Sequence, residues 1–172
     1  MTIRTETEKD FLAIHNLVET AFKTAEVSDG REQDFVLQLR VGGNYIPELA
    51  LVLEEQGELI GHIMLTKTYI ETSEGIVDSL LLGPVAIKLE QRKRGLGAKL
   101  IRESMERAKQ MGFRSVILVG NPDFYCRFGF VETVKKGIGN SNGIPDKYVQ
   151  VCELVPGALD GIHGTILFET AA

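Results

Sequence analysis

Arg92-Lys93-Arg94-Gly95-Leu96-Gly97 sets three cations beside two glycines at the head of an apolar run with helical spacing. Cations draw an anion from solution, glycines let backbone N–H groups face outward, and the first turn of a helix holds N–H groups without intrahelical partners. Together they point to a phosphate-bearing ligand. Spacing separates the kinds of phosphate site. The nucleotide loop Gly-x-x-x-x-Gly-Lys-Ser/Thr is absent. The dinucleotide fingerprint Gly-x-Gly-x-x-Gly/Ala fails because Leu100 holds the third small position and a basic loop intervenes after the strand. A pyrophosphate suits the cup that remains.

The stretch "SLLLGPVAI" ahead of it is equally informative. Proline cannot donate to a ladder, and a glycine inside a strand marks a bulge or a close backbone approach. Gly83-Pro84 therefore predicts a sheet pried open at this point. Backbone groups left unpaired there would accept an amide-bearing ligand as a surrogate strand. Such a ligand has amides at one end and a pyrophosphate at the other.

Arg92-x-x-Gly95-x-Gly97 after that strand, with "FYCRFGF" (124–130) downstream, resembles the GNAT superfamily of acetyl-CoA-dependent N-acyltransferases, over the chain from its first helix to about Phe130. The stretches "LLLGPVAI" and "VPGAL" further resemble its bacterial YhbS-like branch. The resemblance implies an α/β fold with a largely antiparallel central sheet, one bulged and splayed strand, and helices on both faces. It implies acetyl-CoA as cofactor, with backbone groups of Val85, Ala86 and Ile87 on the pantetheine arm and Arg92, Lys93, Arg94, Gly95, Leu96 and Gly97 around the pyrophosphate. The Val85 N–H would polarise the thioester carbonyl. Tyr125 matches the tyrosine that protonates the departing thiolate, a role suited to a phenol that is neutral near pH 7. Asn121 matches a cofactor-contacting asparagine, although only three residues separate it from Tyr125, so the intervening helix must be short.

The base stays open. Leu81 stands where some relatives carry a glutamate, leaving Asp78, Glu71, His62 and a chain of waters. Plainer roles exist for several of these residues. Gly95 and Gly97 would also suit a tight loop without a ligand, Tyr125 a packed core, and Asn121-Pro122 an ordinary helix start. Cys126 has no histidine near it in sequence, which argues against a covalent acyl-cysteine. No metal-ligand spacing surrounds His15 or His62. The expected function is direct transfer of an acetyl group to a small-molecule or peptide amine. The alternative from another class is a non-catalytic acyl-CoA-binding sensor, and a nucleotide-binding protein is a third reading.

These residues need elements to position them. Thr7 and Asp10 open a helix through Phe11, Ile14, Val18, Ala21 and Phe22, and a second runs through Phe35, Val36, Leu37 and Leu39 to Gly42-Gly43. Strands follow at 49–53, 59–70 and 77–87, turned at Gln56-Gly57 and Gly75. A helix over 95–111 places Leu96, Leu100, Ile101, Met105 and Ala108 inward and stops at Gly112. Then come a buried strand at 115–119, a helical turn, and strands near Val131, at 148–154 and at 164–168; "KKGIGNSNG" (135–143) reads as a mobile loop.

At 172 residues and 44% hydrophobic the chain suits one domain. A net charge of −5 argues against nucleic acid. Two cysteines are too few for a disulfide framework, and neither a signal segment nor a bilayer-length apolar run is present, so a cytoplasmic protein with no membrane association is expected. The acids Glu26, Asp29, Glu32 and Asp34 would attract a cationic amine. The protein is expected as a monomer, or as a homodimer pairing through its last strands.

Overall fold

In a computed structural model, which describes residues 1–24 and 28–168, the chain enters through a strand, β1 (Thr2–Thr5). The Thr7 N–H then donates to the Asp10 carboxylate at 2.8 Å. That contact caps a 3-10 turn, Glu8–Asp10, which runs straight into α1 (Phe11–Phe22). Arg4 pairs with Asp10 at 2.8 Å and holds its carboxyl down at about 2, against a smaller opposing effect of burial. The described residues fall into two compact units: Met1–Thr66 with Leu82–Arg107, and Lys67–Leu81 with Ala108–Ala172.

The first unit holds β1, α1, α2 (Glu32–Val41), β2 (Ala50–Glu55), the start of β3 (Glu58–Thr72), the end of β4 (Gly75–Ile87) and most of α3 (Leu96–Gln110). β1 pairs antiparallel with β2, from Thr2↔Glu54 to Thr5↔Leu51, and β2 antiparallel with β3, from Ala50↔Met64 to Glu55↔Glu58. The turn between β2 and β3 is the expected Gln56-Gly57, both residues at positive φ, 53° and 78°. Its core joins Ile14, Leu17, Val18 and Ala21 of α1 and Val36 of α2 to Ala50, Val52, Met64 and Ala86. Burying each large side chain among these contributes about 1.5–3 kcal/mol. α3 buries Leu96, Leu100 and Ile101 as its spacing predicts. Met105 is only half-buried. Ser104 takes the fully buried place and satisfies its hydroxyl on Ile101 O at 2.9 Å.

In the second unit β4 pairs parallel with β5 (Ser115–Val119) at Leu80↔Val116 and Leu81↔Ile117, β5 antiparallel with β8 (Val149–Glu153), and β8 with β6 (Val131–Glu132). The end of β3 pairs antiparallel with β9 (Gly164–Leu167), and β9 parallel with β7 (Ile138–Asn140). Ile70, Ile117, Ile138, Val149, Val151, Leu159 and Ile166 form its core. The fold is mixed α/β with mostly antiparallel pairing, as the sequence implies.

Two expectations need correction, and one strand was not expected at all. β1 has no sequence forecast, being four residues long. Residues 138–140, read as mobile loop, are strand β7, because β9 supplies a ladder that local turn chemistry cannot reveal. The last strands are not free to pair across a dimer: β9 lies between β3 and β7, and β8 between β5 and β6.

Gly164 is the tightest point of the second unit, since a Cβ there would stand 2.0 Å from the backbone oxygen of Glu71. Overpacking a core costs roughly 1–3 kcal/mol. Gly164→Ala is expected at or above the top of that range in denaturant unfolding. Gly139→Ala, whose Cβ would meet nothing within 4 Å, is the near-neutral control. Equal midpoints for the two variants would refute the close approach.

Candidate functional site

In the first unit the Lys88 N–H donates to Ile60 O at 2.9 Å, fastening the end of β4 to β3. Val85 and Ile87 are half-buried, while Ala86 packs with Met64 and the α1 side chains. The strand reaches this stretch through Gly83, at φ 135°, and a cis bond to Pro84, which has no N–H to donate. A 3-10 turn (Leu89–Gln91) follows. Lys93 then takes the left-handed region at φ 66°, a conformation uncommon for a residue with a Cβ and concentrated at ligand sites. Gly95 takes it again at φ 73° and accepts the first intrahelical bond of α3, from the Lys99 N–H at 3.1 Å. Leu96 and Gly97 are the first two residues of α3, where N–H groups face outward and the helix dipole favours an anion.

The three cations are deployed differently. Arg92 donates to Ala21 O at 2.6 Å and to Thr24 Oγ1 at 3.1 Å, so its guanidinium caps the end of α1. Arg94 reaches Glu55 at 3.2 Å and also bonds Gln91. Lys93 is exposed and makes no hydrogen bond or ion pair among the described residues.

The second unit holds the other two predicted residues. Asn121 is the N-cap of α4 (Pro122–Tyr125), its side-chain oxygen accepting the Asp123 N–H at 3.0 Å. That is the ordinary helix start its sequence offers, and the helix is short, as the spacing demands. Tyr125 packs edge-on against Phe124 and Phe130, with centroids 5.0 and 6.0 Å away. Its hydroxyl has no hydrogen-bond partner among the described residues. Burial pushes the phenol up to about 12, which keeps its proton in place at neutral pH.

Sequence reasoning missed Gly120. A Cβ there would lie 2.6 Å from the Tyr125 ring. Gly120 is pinned on both sides, its N–H to Tyr148 O and its carbonyl accepting from the buried Gln150 amide, each at 3.0 Å. The only signal was a glycine just before Asn-Pro.

Of the open base candidates, Glu71 and Asp78 are exposed. His62 is wholly buried, its Nε2 2.9 Å from Glu6 Oε1. Glu6 also accepts from Arg40 at 2.8 and 3.1 Å and from the Tyr45 hydroxyl at 2.7 Å. Burial alone would raise the Glu6 carboxyl, but the bonds from His62, Arg40 and Tyr45 prevail and hold it at about 2. This network spans four elements or connections, so no local pattern announces it. Of the acids proposed to attract an amine, Glu32 binds Ser28 and the Asp29 N–H, and Glu26 lies outside the described residues. Among the described residues no group of three or more His, Cys, Asp or Glu is placed to hold a metal, and no helix is long and apolar enough to cross a membrane.

Residues 2–132 match the family described as acetyltransferase (GNAT) domain. The chain is 34% identical over 122 residues to the uncharacterized N-acetyltransferase YjhQ of Escherichia coli K12, covering 69% of this chain and 66% of the relative, slightly less than two thirds of its length. It is 25% identical to E. coli YhbS over 98% of this chain and 96% of YhbS. Among solved structures, a GNAT family acetyltransferase from Brucella melitensis in complex with acetyl-CoA superposes with a TM-score of 0.79 at 28% identity, covering 98% of this chain and 96% of that one. E. coli YhbS in complex with CoA superposes at 0.83 with 24% identity, covering 96% and 87%.

Two outcomes follow from the geometry. Gly120→Ala must displace the Tyr125 ring and is expected to cost roughly 1–3 kcal/mol; an unshifted unfolding midpoint with an unshifted Tyr125 ring resonance would contradict it. Glu6 has a folded value below its ordinary 4.5, so its stabilisation is full above about 4.5 and is lost as pH falls toward about 2. In acid titrations of stability, Glu6→Gln should start lower and show a shallower acid limb; an acid limb as steep as the parent's would refute the assignment.

Proposed function

Because this chain belongs to the GNAT family of acetyltransferases, we propose that residues 1–172 act as one domain moving an acetyl group from acetyl-CoA directly to a primary amine. Both substrates are bound together. The observation that carries the proposal is the turn into α3, where left-handed Lys93 and Gly95 deliver unpaired N–H groups beside a partnerless ammonium. An anion is what such a site stabilises. The YhbS and Brucella structures, bound to CoA and acetyl-CoA, support that choice of ligand.

In this mechanism backbone groups of Val85, Ala86 and Ile87 align the pantetheine amides, and the Val85 N–H stabilises charge on the thioester oxygen. Backbone N–H groups from Lys93 to Gly97 hold the pyrophosphate, with Lys93 supplying charge. Arg92 contributes through the tether to α1, because its guanidinium is already engaged and its N–H donates to Leu89 O at 3.3 Å. The amine nitrogen attacks the thioester carbon, the C–N bond forms, and the C–S bond breaks. Tyr125 gives its proton to the departing sulfur; its hydroxyl is unengaged and still carries its proton at neutral pH. Asn121 assists by fixing the start of the helix that carries Tyr125.

Calorimetric titration with acetyl-CoA, with ATP for comparison, tests the ligand. One-site binding of acetyl-CoA alone, abolished in an Arg94→Glu, Gly97→Asp variant, is expected. Tyr125→Phe should then keep its affinity within about twofold and lose roughly a hundredfold in thiol release with a panel of spermidine, kanamycin and an alanyl peptide. No binding of acetyl-CoA overturns the proposal. Binding without turnover of any amine supports the sensor alternative.

A further inference from the structure

An alkylammonium must lose a proton before its nitrogen can attack, since its pKa lies near 10.4. Resting on the acetyltransferase reading above, the acceptor of that proton is the missing part of the mechanism. Of the side chains open for it, only His62 combines full burial with a carboxylate partner.

Glu6 carries no hydrogen to give, so the hydrogen in its 2.9 Å contact with His62 belongs to Nε2, and a ring that carries only that hydrogen presents a lone pair at Nδ1. That Nδ1 is buried without a hydrogen-bond partner among the described residues. So is Thr66 Oγ1, four residues along β3 and therefore on the same face of the strand. Buried polar atoms without partners are rare, and two on one strand face require an explanation. Packing alone does not supply one, because each forfeits a hydrogen bond that water would have provided.

Their place on the strand is informative. β3 and β4 are successive neighbours joined by the two residues Ser73 and Glu74, a connection only antiparallel strands can use. Lys88 N–H on Ile60 O anchors them. Moving along β3 from Ile60 through His62 to Thr66 thus moves back along β4 from Lys88 toward Leu82. His62 therefore stands opposite Ala86, the middle of the stretch proposed to align the acyl donor, and Thr66 opposite Leu82, with Met64 buried between the two on the same face.

We propose that His62 Nδ1, backed by Glu6, is the terminal acceptor for the proton of the amine, reached through a short file of water. An N–H bond of the bound ammonium breaks and its electron pair stays on nitrogen. The first water takes that proton, each water passes one on, and a new N–H bond forms at Nδ1, leaving the waters unchanged. The imidazolium then has a hydrogen on each nitrogen, with Nε2–H still on Glu6, and gives its proton back to solvent after product leaves. The charged and titratable groups bonded into this network are Glu6 after β1, Arg40 on α2 and Tyr45 beyond it. Arg40 and Glu6 form a net-neutral pair beside the resting ring, and the carboxylate is the member in direct contact with it.

Two measurements test this. Nitrogen NMR of histidine-labelled protein with CoA bound, assigned through His62→Gln, needs no acceptor amine. The neutral His62 ring is expected to carry its proton on Nε2 with Nδ1 bare and in exchange contact with water; a proton on Nδ1 overturns the proposal whatever the protein acetylates. The second is thiol release from acetyl-CoA with spermidine as probe amine, from about pH 7 to about pH 10. His62→Gln keeps an N–H for Glu6 but lacks a basic nitrogen. It should bind acetyl-CoA normally, lose roughly a hundredfold in kcat near pH 7, and recover as solution supplies free amine. A His62→Gln enzyme with the parent's kcat and pH profile also overturns the proposal. Loss of acetyl-CoA binding in the parent would instead count against the acetyltransferase reading, and the tautomer measurement still decides the role of His62.

Discussion

A backbone N–H in a folded chain needs an acceptor, and the turn from Lys93 into α3 leaves several without one among the described residues. Pro84 removes a donor from the strand, the pairing with β5 covers Leu80 and Leu81, and two left-handed residues turn the chain into a helix whose first N–H groups have no intrahelical acceptor. Particular contacts in the first unit hold that segment in place. Gly61 is one device: a Cβ there would stand 2.9 Å from Ile87 and 3.0 Å from Leu100, so its absence lets the start of α3 lie close against β3.

Tyr125 and Glu6 are two titratable groups whose surroundings set opposite characters. Tyr125 is pressed between aromatic rings and a bare glycine, with burial alone acting on its phenol. Glu6 is the opposite case. Burial penalises its charge, yet four hydrogen bonds from three side chains keep it ionised, and only a fully satisfied network of this kind makes a buried carboxylate tolerable.

The parts legible in the sequence were those whose cause is local. Helical spacing gave α1 and α3, the Gln56-Gly57 turn marked the hairpin, and Gly95 marked the left-handed turn into α3 because its role is conformational. What stayed hidden depends on partners distant in the chain. Glu6 sits in a polar stretch that reads as surface, and its partners lie 34, 39 and 56 residues away. Ile138–Asn140 looks like loop because its glycines and asparagines favour turns, and only β9 makes it a strand. Arg92 was readable as a cation but not as the cap of a helix some seventy residues earlier, for which no spacing rule exists.

That last contact links two regions that would otherwise vary independently. The same side chain ends α1 and opens the loop before α3, so the helix pair cannot be exchanged as a module without regard to the loop. A chimera importing a different α1 and α2 preserves the loop's shape only if its first helix ends with an open carbonyl at the height of Ala21. With a shorter or longer helix the guanidinium has no carbonyl to fasten to, and Lys93 loses the neighbour that fixes its left-handed turn. In such grafts the length of α1, counted in residues, matters more than its sequence.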